Sequence, residues 1–143
     1  MSRIIKTSTP GKEREQLSKA IVITIRSFMR QEKPDAETGD MVAFVILALH
    51  EIFTGIDQSV AAWEKRGYWV KADKYRMEWQ WTAAKSSKLL EAFEKQDWAT
   101  ITTLLIEIIQ KFSNLKVSDQ HRMGKPWVGA NLSLSKLKES VNN

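Results

Sequence analysis

DMVAFVILALHEIFTGIDQSVAAWEKR, residues 40–66, decides how the chain folds. Val42, Val45, Leu49, Ile52, Ile56 and Trp63 recur in it at steps of three and four, interrupted only at Ser59. That is the spacing of one face of an α-helix, and a helix this apolar has to be covered by the rest of the chain. Gly67 suits the left-handed position just past its end, and Lys65 and Arg66 stand in the last turn, where the helix dipole favours cations. Pro34 to Gly39 is a polar turn in front of it, with Thr38 or Asp40 as the expected N-cap.

Upstream, residues 1–9 predict a flexible basic arm, and Thr9 followed by Pro10 predicts the start of a helix over about 10–31. Leu17, Ile21, Ile25 and Phe28 form its apolar stripe, widened by Ala20, Val22 and Met29. Downstream, a third helix over about 70–95 carries a seam through Ala72, Tyr75, Trp79, Thr82, Ser86, Leu89 and Phe93. A second stripe on the same helix, Val70, Met77, Trp81 and Ala84, needs a cover of its own. Asp97 caps a fourth helix over about 98–113, with Trp98, Ile101, Leu105, Ile108, Phe112 and Leu115 in step. Residues 116–143 are rich in small polar residues, Gly and Pro, and predict an extended tail with a short helix near 134–141. Four amphipathic helices on short links predict an all-α, single-domain, antiparallel up-and-down four-helix bundle over residues 10–115.

Composition narrows the function classes. Among the 143 residues there is no cysteine, which removes disulfides, thiolate metal sites and cysteine nucleophiles. The N-terminus has no signal-peptide pattern, and the longest uninterrupted apolar run, Met41 to Leu49, spans nine residues before His50 and Glu51 end it. The chain reads as cytoplasmic, with no membrane attachment. Residues 1–33 carry 8 basic and 3 acidic side chains, residues 34–115 carry 9 and 12, and residues 116–143 carry 5 and 2. Basic ends around a slightly acidic middle suit an anionic partner.

No catalytic motif emerges. Leu47 and Ser118 stand three residues before His50 and His121, where a dinuclear bundle site needs Glu. Thr54 stands where a His-Glu-x-x-His zinc motif needs its second histidine. His50, Asp57 and Glu64 recur every seven residues, too far apart along one helix to share an ion. No Gly-rich phosphate loop is present either, so neither a metal nor a cofactor is expected.

The segment that stands out is WEKRGYWVKADKYRMEWQW, residues 63–81, with four of the six tryptophans, both tyrosines and the cations Lys65, Arg66, Lys71, Lys74 and Arg76. Once the seam residues are subtracted, Tyr68, Trp69, Met77 and Trp81 remain, and with Val70 and Ala84 of the second stripe they are expected to form a protein interface. The tail or a second copy of the chain, as a dimer, is the first expected occupant, and another protein the next. The alternative is a nucleic acid or nucleotide held by those five cations and the aromatic faces, helped by the basic arm and by Arg122 and Lys125 in the tail. Trp127, in HRMGKPW, is expected to anchor the tail in a groove of the bundle. The reading is thus a non-enzymatic, self-associating interaction module.

Overall fold

In the computed structural model, which describes residues 9–142, α-helix is the only regular secondary structure among the described residues. The elements are α1 (Pro10–Met29), α2 (Ala36–Lys65), α3 (Trp69–Trp79), α4 (Trp81–Glu94), α5 (Trp98–Lys111) and α6 (Ala130–Asn142). The basic arm expected over residues 1–8 lies outside the described residues.

α2 is the axis of the molecule. It is 30 residues long, about 45 Å at 1.5 Å per residue, and it touches α1, α3, α4 and α6, while α5 closes the fold against α1 and α4. Val42, Val45, Leu49, Ile52 and Ile56 are all buried, and Val60 continues the line where Ser59 interrupts the sequence pattern. Ala43, Ile46 and Ala48 are buried as well, so the N-terminal half of α2 is covered on several sides. Taken as a whole helix rather than as its nine-residue run, α2 is long and apolar enough to cross a membrane, which the sequence reading did not allow for. Half of its most apolar window is buried inside the chain, as in a core helix.

Three boundaries differ from the sequence reading, each for a local reason. α2 starts before Thr38: Asp35 is the N-cap, its carboxylate accepting the Thr38 N–H at 2.9 Å while the Thr38 hydroxyl accepts the Asp35 N–H at 3.2 Å. This is a reciprocal capping box with Thr in place of the usual Glu. Asp40, the other expected cap, serves a different helix, accepting the N–H groups of Gly129 at 3.3 Å and Asn131 at 2.9 Å. α6 is therefore capped from α2.

The third expected helix is interrupted at Gln80. There the Thr82 hydroxyl donates to the Trp79 carbonyl at 2.7 Å and the Ala83 N–H to the Gln80 carbonyl at 3.2 Å, a tightened turn in place of regular helical bonding. The inner seam survives the break, with Ala72, Thr82, Ser86 and Leu89 buried. The second stripe does not survive it. Finally, the tail is not extended throughout: α6 begins at Ala130, four residues before the expected short helix, and buries Ala130 and Leu134. On the first helix, Met29 does not widen the stripe, because α1 ends with it and leaves it exposed; Ile23 and Thr24 are buried instead, since α2 and α5 both pack on α1.

Candidate functional site

The face singled out by sequence is built on the turn from α2 to α3. Gly67, at φ 84°, occupies the left-handed position, its N–H donating to the Glu64 carbonyl at 3.0 Å and the Tyr68 N–H to the Trp63 carbonyl at 2.9 Å. These two bonds close α2 in a Schellman motif and send the chain back as α3. The inner aromatic residues pack tightly. Trp63 meets Tyr75 edge-on at 4.9 Å, the Lys71 ammonium lies 4.4 Å from the Trp63 ring, and the Arg14 guanidinium from α1 covers Tyr75 at 5.1 Å and Trp79 at 5.2 Å. Burial raises the Tyr75 phenol pKa above its ordinary value, the nearby Arg14 charge opposing it.

The outer residues are bare. Tyr68, Trp69, Val70 and Met77 are 52, 60, 70 and 71 % exposed. Val70 and Met77 are seven residues apart, so they lie on one face of α3 with Lys74 between them. Two shallow hollows border Val70 and Lys71, one floored by Gly67, Tyr68 and Trp69, the other by Trp63, Lys74, Tyr75 and Glu78. Four large apolar side chains exposed within ten residues mark a candidate surface, unlike singly scattered ones.

Two members of the expected face lie elsewhere. Trp81, carried on α4 beyond the break, is half-buried: it stacks on Trp79 at 6.4 Å, meets the edge of Phe112 at 5.5 Å and has the Lys111 ammonium 5.7 Å from its ring. Ala84 is exposed on α4 and separated from Val70 and Met77 by the same break. α6 does not cover the face; it lies on α2. The tail's Trp127 is buried, its indole N–H donating to Glu37 at 3.1 Å.

The seven cations also separate. Lys65, Arg66 and Lys74 are exposed, with no ion-pair partner among the described residues. Lys71 is placed on Trp63, and Arg76 is bound to Glu64 at 3.0 Å and Asp73 at 3.3 Å. Lys125 pairs with Glu37 at 3.1 Å, at the start of α2, roughly 40 Å along the helix from Lys65 at 1.5 Å per residue. Arg122, three residues before Lys125, is exposed without an ion-pair partner among the described residues. The structure thus does not join the tail cations to the 63–81 segment.

His50 and Asp57 are exposed and Glu64 is held by Arg76, so the heptad-spaced set forms no common site. No group of three or more metal-ligating side chains converges among the described residues. Sequence reasoning missed two hollows, because each combines residues distant in the chain. One, about 550 Å³ in volume, lies between α2, α4 and α6, its wall formed by Ile46, Leu47, Leu90 and Leu134, with His50 and the Glu94–Lys138 ion pair at its rim. The other joins α1, α3 and α5 around Arg14 and Lys111. No protein family, curated protein or solved structure matches this chain.

Proposed function

We propose that the protein is a non-enzymatic helical interaction module that self-associates through the outer face of α3. The supporting observation is the exposure of Tyr68, Trp69, Val70 and Met77 on a face that no other element covers among the described residues. An isologous contact requires residue i to meet j while j meets i. Two copies of α3 running antiparallel about a point between Asp73 and Lys74 satisfy this: Val70 of each copy faces Met77 of the other, and Lys74 faces Asp73. Lys65 and Arg66 then stay at the solvated edge of the contact. Within each copy we read α1, α2, α3 with α4, and α5 as the four antiparallel rods of an up-and-down bundle, the short links at residues 30–35, 66–68 and 95–97 favouring that course. The lack of cysteine fits a reducing compartment such as the cytoplasm.

Sedimentation velocity across a concentration series tests the contact. The wild-type chain is expected to dimerise, Val70→Lys and Met77→Glu each to weaken the dimer at least about tenfold, and the double substitution to restore it, because the new charges face each other across the two-fold. A wild-type monomer at all concentrations, or a dimer indifferent to both single substitutions, refutes the reading. A second reading, single-stranded nucleic acid, is favoured by Lys65, Arg66 and Lys74, which have no ion-pair partner among the described residues, on the same segment as the exposed rings of Tyr68 and Trp69. It requires binding to a labelled oligonucleotide that falls steeply with salt and is lost in Trp69→Ala.

A further inference from the structure

The hollow between α1, α3 and α5 has a chemistry of its own. It measures about 360 Å³, and Arg14 and Ser18 of α1, Trp79 at the end of α3, Lys111 at the end of α5, and Phe112 and Asn114 just beyond it contribute to its lining. Arg14 and Lys111 reach it from opposite elements, and neither has a carboxylate partner among the described residues. The acidic side chain at its edge, Glu15, is paired with Lys19 at 3.2 Å. Both cations instead rest against aromatic rings, Arg14 at 5.2 Å from Trp79 and Lys111 at 5.7 Å from Trp81, and these two indoles stack on each other. Such contacts hold the long side chains in place without neutralising them.

The hydrogen-bonding inventory points the same way. A guanidinium and an ammonium have donors and no acceptor, and a guanidinium fork matches a phosphate or carboxylate with two parallel bonds. Trp79, a residue of this wall, also carries the one buried side-chain polar atom without a partner among the described residues, its Nε1–H. Two like charges facing a concave hollow with aromatic and apolar walls repel each other, and an anion removes that cost. The volume is near the lower end of small-molecule sites, which suits one ring rather than a dinucleotide.

We propose that this hollow binds a small aromatic oxyanion, its phosphate or carboxylate held between Arg14 and Lys111 and its ring against Trp79, Phe112 and Leu115. The site is separate from the outer face of α3, so its test is independent of dimer formation. Titration of the full-length chain, read by tryptophan emission, uses phenyl phosphate, benzoate, inorganic phosphate and phenol. Phenyl phosphate or benzoate is expected to bind saturably, the tighter of the two identifying the head group. Inorganic phosphate is expected to bind at least about tenfold more weakly and phenol not measurably. Arg14→Gln and Lys111→Gln each weaken binding at least about tenfold, whereas Lys136→Gln, on the exposed side of α6, leaves it unchanged. Lys111 is exposed, so its substitution spares the fold even where loss of Arg14 loosens the packing on Tyr75. Absence of saturable binding by both aromatic anions, equal binding of phenol, or affinity that survives both substitutions overturns the proposal.

Discussion

At the scale of single residues, two helix ends use the same device with different side chains. Gly67 ends α2 at φ 84°, and Gln96 ends α4 at φ 52° with equivalent bonds, its N–H to the Phe93 carbonyl at 3.0 Å and the Asp97 N–H to the Ala92 carbonyl at 2.9 Å. A side chain in the left-handed region costs about 1–2 kcal/mol, whereas glycine's extra freedom in the unfolded chain costs about 0.5–1 kcal/mol. The steric term wins, so exchanging the two residue types should move stability in opposite directions. Gly67→Ala is expected to destabilise by about 1 kcal/mol and Gln96→Gly to stabilise by a few tenths to about 1 kcal/mol. Urea unfolding of both variants checks this, and the same sign for both would contradict it. Gly67 was legible in the sequence because glycine after a helix has a known role. Gln96 was not, since nothing in its side chain announces a positive φ.

At the scale of elements, caps decide where helices start, and two of them titrate. Asp35 has its carboxyl pKa lowered chiefly by the Thr38 N–H, and Asp97 chiefly by the Thr100 hydroxyl, which donates at 2.6 Å. The folded value lies below the unfolded one in each case. The stabilisation is therefore complete above the usual carboxyl pKa of about 4, and it is lost as pH falls through the lowered values. Glu107, lowered by its hydrogen bond from Lys85, acts in the same direction. Asn caps as well as Asp but cannot ionise, so Asp35→Asn with Asp97→Asn should leave stability at pH 7 nearly unchanged while flattening the acid limb. Chemical denaturation between about pH 2 and 7 measures it, and an acid limb as steep as in the unsubstituted chain would count against the assignment.

Element existence was readable from apolar spacing, since the residues of each expected seam are buried or half-buried wherever the helix continues. The break at Gln80 was not readable, because no glycine or proline marks it and Thr82 supplies the replacement bond through its side chain. The cost fell on the candidate site: a stripe drawn through one continuous helix placed Trp81 and Ala84 beside Met77, and the break packs Trp81, half-buried, against the core. Arg14 stands off the apolar stripe of α1, and its contacts with Tyr75 and Trp79 cross more than sixty positions of sequence, so spacing along the helix does not announce them.

At the scale of the whole molecule, the segment after α5 behaves as a strap. Arg26 of α1 holds it by a bond to the Val117 carbonyl at 2.7 Å and an ion pair with Asp119 at 3.3 Å. Further on, Trp127 is buried and bonded to Glu37, and Lys138 pairs with Glu94 at 3.1 Å. Trp127→Ala should cost about 3–5 kcal/mol of the free energy that docks α6, as for other large aromatic truncations. That loss is expected to release α6 before the rest of the chain, raising amide hydrogen exchange in Ala130–Asn142 while the amides of α1 and α2 keep their protection. Exchange accelerated equally in all helices would show that α6 is inseparable from the core.

Asp40 adds a consequence in time. Its carboxylate caps the start of α6 from a position 91 residues earlier than Asn131, so α6 acquires its N-terminal partner only by docking on α2. A chain growing from its N-terminus can assemble α1 to α5 while the side of α2 that α6 will occupy still faces solvent. Closing that long loop is an entropic step that local helix formation cannot hasten. During synthesis the vacant side of α2 is consequently the surface on which a chaperone, or a neighbouring nascent chain, has its opportunity to bind.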